Sequence, residues 1–583
     1  MPSRLSAITS LAPVLMAVGS LIVGAVFVTA PPSRIGLVVS PIGMLLFFAG
    51  INLLTDRPYS LVKSNTWMRF LPLVLLIGGD FPGLGPPWVS AILLSATFVL
   101  LLLISNVDGI SYSYLVFLIV LLAGSVVYNV YYYYPLDYGI DSWTYQAVSS
   151  AIVSKGAFTG IQQPTSPYYW PFPIMSIAPS MLALVSSLSL PFSLFIFPGS
   201  LILLQPLFVF LVSRRLFASS KVAVLSALVA VTEVSVIQGI GEPFAEATAV
   251  SLLSLLLLLI MFGDPSREKS IATFMVFFAI AALHAAVGII AVAFLIYFTW
   301  RKDRRNMWVL LTLAIIVLAY LQVTGTIEVI VATTSTDWHY FLLSLFGAPA
   351  TISGAQRFPQ GTPGIAFVWW GFPASLAVFA ILAFRKTMIF TWAFAGLTLL
   401  GLTFAITLIV PSLSADRYGG LSAWIILAIS GGATMQRLIT SRRKLLILTP
   451  MMFLILLSSA TSPMISPQFG IVRTSALPST YSDRAGLRWL ANQSDTAIRL
   501  RPDASNTMAY LIFATYKLGK FSTKDLNIMN SGFPSAPKLL FIRWANLDPA
   551  DARESCNRIT AGSANQIIDL VYDNNCDIVL RRP

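Results

Sequence analysis

The sequence predicts an α-helical polytopic membrane protein that ends in a small extracytoplasmic α/β domain. Three observations predict it. Of 583 residues, 56% are hydrophobic and 10% charged, where ordinary globular domains carry about 25% charged residues; the mean hydropathy is +0.80. Apolar windows long enough to cross a hydrocarbon core as helix, roughly 17–25 residues each, recur as far as residue 462. Beyond about residue 465 the chain turns polar, and both of its cysteines lie there.

In order, spans are expected near 7–30, 35–54, 87–105, 112–130, 192–212, 221–239, 243–262, 307–325, 365–384, 387–410, 420–438 and 445–462. Three shorter pieces, 68–80, 271–283 and 285–300, complete a set of about thirteen to fifteen crossings. The last two read as one hairpin broken at His284. Residues 7–30 have no convincing small-residue cleavage site before more membrane follows, so they read as a first anchor rather than a signal peptide. From 468 onward, LRWLANQ and ADARESCNRI look helical and KLLFIRW and DIVLRR look like strands.

Charge placement orients the chain. With a cytoplasmic N-terminus, the inner loops collect Arg214, Arg215 and Lys221, then Arg301, Lys302, Arg304 and Arg305, then Arg385 and Lys386, then Arg437, Arg442, Arg443 and Lys444. The outer loops before the tail hold Arg34, Lys155, Arg357 and Arg417. This is the positive-inside bias, so the net charge of +13 is a topology signal and not a nucleic-acid footprint. Acids run the other way: Asp80, Asp137, Asp141, Glu233, Glu242, Glu246, Glu328, Asp337 and Asp416 fall at or near the outer face, against Asp56, Asp108, Asp264, Glu268 and Asp303 inside. Carboxylates so close to a bilayer are costly and tend to line cavities or pathways.

The segment Tyr131–Pro173 is the most informative polar stretch, longer than a spanning hairpin needs and carrying Asp137 and Asp141 among aromatics. An interfacial aromatic belt with solvated acids is the bland alternative. A carboxylate at that boundary suits general-base work on a hydroxyl. If residues 137–141 are helical, the two acids share a face. Arg417 suits an anionic phosphate, which a guanidinium grips in a bidentate fork, unless it pairs with Asp416 or Glu246. His284 is either a phosphate ligand or a satisfied buried histidine. Glu242 and Glu246 could orient an acceptor, hold a divalent cation, or simply favour a helix N-terminus. Cys556 and Cys576 fit a disulfide on the oxidising side better than two free thiols. No Walker loop, zinc-ligand spacing or hydrolase signature occurs.

From residue 112 onward the chain resembles the GT-C superfamily of polytopic glycosyltransferases. The resemblance lies in an ordered set of elements. It begins with Gly139-Ile140-Asp141-Ser142-Trp143-Thr144-Tyr145 in a long first external loop, then Tyr168-Tyr169-Trp170-Pro171-Phe172-Pro173 before a juxtamembrane helix at 174–190. It continues with the basic turn Ser213-Arg214-Arg215-Leu216-Phe217, the acidic turn Gly241-Glu242-Pro243-Phe244-Ala245-Glu246, a hairpin tipped by His284, and Asp416-Arg417-Tyr418 in a late external turn. The oligosaccharyltransferase motif WWDYG is absent, since Trp369-Trp370 is followed by Gly-Phe, and the acidic turn is Glu-x3-Glu rather than Asp-x-Asp.

The resemblance implies a division into extra N-terminal transmembrane segments (1–110), a catalytic transmembrane core (111–465) with external loops 131–191 and 326–364, and an extracytoplasmic α/β domain (466–583). It implies transfer of a hexose or pentose from a polyprenyl (dolichyl) phosphate carrier to a glycolipid, glycan or protein, with inversion, on the extracytoplasmic face. Asp141, with Asp137 as rival, would be the base, and Arg417 and His284 would hold the donor phosphate. Glu242 and Glu246 would serve the acceptor or a metal. Partners would be membrane lipid, the lipid-linked donor and the acceptor. Oligosaccharyltransferase-like transfer, and a transporter or flippase of lipid-linked sugars, are the competing readings; the outward clustering of acids and the lack of an internal repeat weigh against the latter.

Overall fold

The computed structural model describes residues 11–23, 33–54, 66–80, 87–107, 109–133, 140–156, 174–236, 245–261, 266–302, 307–323, 364–385, 387–409 and 415–469, the isolated residues 327, 328, 331 and 335, and four strands at 498–500, 539–543, 569–573 and 577–581. Its helices follow the apolar windows closely. They are α1 (Leu11–Val23), α2 (Ser33–Leu53), α3 (Thr66–Asp80), α4 (Pro87–Ile104), α5 (Tyr112–Tyr133), α6 (Ile140–Lys155), α7 (Ile174–Ser186), α8 (Leu190–Phe217) and α9 (Ser220–Val236). Then come α10 (Ala245–Met261), α11 (Arg267–Leu283), α12 (Ala285–Lys302), α13 (Met307–Val323), α14 (Gly364–Ala383), α15 (Met388–Ile409), α16 (Ala415–Leu438) and α17 (Arg442–Phe469).

The bundle presents a strongly apolar surface around a core that is itself mostly apolar with a few buried polar groups. Large apolar side chains point outward from many helices, among them Leu21, Trp67, Phe70, Val74, Phe117, Met275, Phe394 and Leu402. Inside lie Gln205, Thr232, Thr248, Ser226, Ser251 and Ser254. Ser251 donates to the Gln205 side-chain oxygen at 3.1 Å and Ser226 to the Ile429 carbonyl at 3.0 Å, so these groups tie α10 to α8 and α9 to α16. Such bonds between membrane helices contribute about 0.6 kcal/mol each. Lipid is the solvent that this arrangement fits. Among the described residues one helix, α8 with 28 residues, is by itself long and apolar enough to cross a membrane.

Small residues set the closest helix contacts. On α16 a side chain at Gly432 would strike the Val222 carbonyl and the Ser226 backbone of α9. With Ser226 also bonded to Ile429, the contact runs in opposite directions along the two helices. The first helices pack against the last ones: α2 lies on α14 and α4 on α17, and Phe48 meets Phe372 edge-on at 6.4 Å.

Two helices were not expected as spans. α7 fits the juxtamembrane helix foreseen at 174–190, ending instead at Ser186 and followed by the left-handed Ser187 (φ 58°). α6 occupies the polar segment read as loop; it has too few apolar residues to register as membrane, yet Tyr145, Val148 and Ile152 are buried, and Ser149 donates to the Ser176 carbonyl of α7 at 3.0 Å.

In the C-terminal region four strands, β1 (Ile498–Leu500), β2 (Leu539–Arg543), β3 (Asp569–Asp573) and β4 (Asp577–Arg581), form one sheet in the order β1-β2-β4-β3. β1 runs parallel to β2, while β2–β4 and β3–β4 are antiparallel, with Phe541 opposite Val579. The strands expected in KLLFIRW and DIVLRR are β2 and β4. The helices expected at LRWLANQ and ADARESCNRI lie outside the described residues, as do Cys556 and Cys576 and hence their pairing.

Candidate functional site

Three candidate residues sit in the first turn of a helix. Asp141 is the second residue of α6, Glu246 the second of α10 and Arg417 the third of α16. His284 stands between α11 and α12 as the one extended residue of the hairpin (φ −156°, ψ 116°), its N–H donating to the Ile280 carbonyl at 2.9 Å. Gly288 lets the two arms close around it: a Cβ there would come 3.0 Å from the Cα of Ala281. Arg417, foreseen in a turn between spans, lies instead within helix.

The fold brings two of these residues together. His284 Nε2 is 3.8 Å from Glu246 Oε2, and both side chains are mostly buried. They form an ion pair whenever His284 carries its second proton. The sequence had placed each at the outer end of its own segment, but their contact depends on how α10 packs against α12.

Arg417 belongs to the same end of the bundle. α16 packs on α9, α10 and α12. Because α9 and α16 run in opposite directions, with Val222 and Ser226 against the later part of α16, the first turn of α16 lies toward the end where α9 finishes and α10 begins. Asp141 follows the end of α5, whose partner helix α3 finishes at Asp80; the Ser125 hydroxyl of α5 donates to Asp80 Oδ2 at 2.8 Å. At the opposite end of α3, Arg69 donates to the Gly109 carbonyl at 3.1 Å and Tyr114 donates to the Arg69 carbonyl at 2.6 Å. α3 and α5 are therefore parallel, with the acid at one end and the arginine at the other.

Asp137 and Glu242 lie outside the described residues. The described part of α6 begins at Ile140, so a helical face shared by Asp137 and Asp141 stays a sequence expectation. Among the described residues no three His, Cys, Asp or Glu side chains gather into a metal-binding group. Glu246 and His284 alone supply fewer ligands than a divalent ion takes. Asp80 was noted in the sequence only as one of the outer acids; its bond to Ser125 had no sequence signal, because 45 residues separate the pair.

No family model matches the chain, and no curated protein matches it. Among solved structures it is similar to ArnT from Cupriavidus metallidurans bound to undecaprenyl phosphate, at 13% identity and a TM-score of 0.37, over 80% of this chain and 97% of that one. It is also similar to the archaeal oligosaccharyltransferase AglB from Archaeoglobus fulgidus, in complex with an inhibitory peptide and a dolichol-phosphate, at 15% identity and a TM-score of 0.39, over 73% of this chain and 62% of that one.

Proposed function

We propose that the protein is a membrane glycosyltransferase of the GT-C type, which moves one sugar from a polyprenyl phosphate to a hydroxyl-bearing acceptor at the end of the bundle that holds Glu246 and His284. The observation that supports this reading is the contact of Glu246, in the first turn of α10, with His284 at 3.8 Å, on the end of the bundle toward which the first turn of α16, with Arg417, lies. Helix N-termini favour anions, and the donor's leaving group is an anion.

The chemistry follows from the residue types. Asp141, as base, accepts the proton of the acceptor hydroxyl as its oxygen attacks the anomeric carbon. The bond from that carbon to the phosphate oxygen breaks, and its electron pair leaves with the phosphate. A single displacement of this kind inverts the anomeric centre. Arg417 and protonated His284 stabilise the charge that develops on the leaving oxygen. Glu246 orients His284, and with Glu242 faces the acceptor. No step is routed through a metal. The C-terminal sheet region and Asp137 belong to the same extracytoplasmic side in this proposal, and a Cys556–Cys576 disulfide fits there.

The test supplies purified protein with a panel of radiolabelled polyprenyl-phosphate hexoses and pentoses and follows release of the lipid phosphate. Turnover of at least one donor by the wild type is expected, and Asp141→Asn should lower it by about 10²–10⁴-fold with unchanged folding. Asp141→Asn at wild-type rate removes the assigned base; no turnover with any donor removes the transferase reading.

A further inference from the structure

We propose that Gln146 is a substrate-binding residue: the buried oxygen of its side-chain amide accepts a hydrogen bond from a sugar hydroxyl held at the start of α6. The proposal rests on the transferase reading and adds to it a recognition contact on the helix that carries Asp141.

Among the described residues two glutamines are buried, Gln146 on α6 at 3% exposed and Gln205 on α8 at 0%. The fold treats them differently. Gln205 Oε1 accepts from the Ser251 hydroxyl at 3.1 Å. Gln146 Oε1 is shut off from solvent and accepts no hydrogen bond. An acceptor left this way gives up hydration without recovering a bond, and buried polar groups are so regularly satisfied that an exception calls for a cause. Loose packing of α6 is not that cause. One turn further along, on the same face, Ser149 donates to the Ser176 carbonyl of α7 at 3.0 Å, and its own carbonyl accepts from Ser180 at 3.2 Å. Tyr145 and Val148 are buried on either side. Polar groups of α6 are thus matched at Ser149 and left unmatched one turn nearer Asp141.

The position gives the oxygen a use. Gln146 stands five residues after Asp141, about 8 Å along the helix axis, and long helical side chains lean back toward the N-terminus. Its amide therefore reaches toward the turn that bears the proposed base. Five residues also carry the chain about 140° past a full turn, so the two residues meet different parts of a substrate. An unspent oxygen takes a donor, and the donors that a sugar presents are hydroxyls. Oε1 is covered in the free protein, so the hydroxyl enters as its cover gives way, and the new bond offsets that cost. A site of this kind rejects an analogue that lacks the hydroxyl, because its own polar group would stay unpaired. The hydroxyl belongs either to the sugar of the lipid-linked donor or to the acceptor, and the two sources predict different losses.

The test compares the purified full chain with Gln146→Leu, which removes the amide. It reads the melting temperature without substrate, the affinity for radiolabelled polyprenyl-phosphate hexoses and for polyprenyl phosphate alone, and the release of lipid phosphate on turnover. Gln146→Leu should melt at or above the parental temperature, because a buried acceptor without a partner is gone, and should still lose function. With the hydroxyl on the donor sugar, affinity for the polyprenyl-phosphate hexose falls about 10-fold, while that for polyprenyl phosphate stays within about 2-fold. The deoxy donor lacking that hydroxyl then binds parent and variant alike. With the hydroxyl on the acceptor, both lipid affinities hold and turnover at saturating donor falls about 10-fold.

Unchanged affinity and turnover overturn the proposal at any melting temperature. An equal loss of affinity for polyprenyl phosphate and for its hexose does so too, since that is damage to the whole site. Should Gln146→Leu fail to fold, Gln146→Met, closer in shape, makes the same comparison. A parent that binds and turns over no donor removes the transferase reading and the sugar contact with it, whereas equal turnover by parent and variant removes the contact alone.

Discussion

Glu246 and His284 either serve a ligand or only hold each other, and a double-mutant cycle separates the two. If His284 holds the donor phosphate and Glu246 keeps it in place, His284→Ala should raise the donor KM about 10-fold, since losing a hydrogen bond to a charged group costs about 1.5–3 kcal/mol. Glu246→Ala should raise it less, and the double variant should resemble His284→Ala, giving a coupling of roughly 0.5–3 kcal/mol. If the contact at 3.8 Å is only structural, the variants will melt earlier and keep a normal KM per folded molecule. At this scale the sequence was partly legible. Each residue could be assigned to the outer end of its segment from topology, because a break in an apolar run and an acid before one are local signals. Their meeting was not legible, since it depends on the packing of α10 against α12, and no periodicity records that.

Helix against helix, one close approach among the described residues with an explanation in single residues is that of α9 and α16. Gly432 faces backbone atoms of Val222 and Ser226, which cannot rotate aside as a side chain would. Gly432→Ala should therefore destabilise the purified protein by about 1–3 kcal/mol or more, read as a fall in melting temperature. Gly401→Ala on α15, where nothing lies within 4 Å, should leave it unchanged or slightly raised because Ala suits helix better than Gly by about 1 kcal/mol. Equal effects would show that proximity at Gly432 is not what limits packing. The apolar windows marked the spanning helices because bilayer thickness imposes a length that composition cannot hide. α6 escaped because IDSWTYQAVSSAIVSK mixes Ser, Thr and Gln with its apolar residues and follows closely on Pro135 and Gly139. Among the strands, β2 and β4 are apolar enough to read, whereas Asp569–Asp573 begins and ends in acid and Ile498–Leu500 has only three residues.

For the molecule as a whole, the two ends of the bundle differ in charge. Toward one end α8 closes on Arg214 and Arg215 and α16 has Arg437 in its last turn; Glu246 and His284 lie toward the other, where the first turn of α16 brings Arg417 as the exception. Basic residues in the last turn favour the helix dipole, but that benefit would apply at either membrane face. The asymmetry between ends is better explained by the positive-inside bias, and the proposed chemistry requires the acidic end to face away from the cytoplasm. Single cysteines in a background lacking Cys556 and Cys576 decide it. Ser189, exposed just before α8, and Ser270, exposed in the first turn of α11, lie at opposite ends of the bundle in the expected order of crossings. An impermeant maleimide added to intact cells should label a cysteine at Ser189 at once, and one at Ser270 only after permeabilisation. The reverse pattern would turn Glu246 and His284 toward the cytoplasm and move any lipid-linked donor to that leaflet. Labelling of both in intact cells would mean that the crossings between α8 and α11 are miscounted, and the pair would then have to be placed from the contact of α10 with α12 alone.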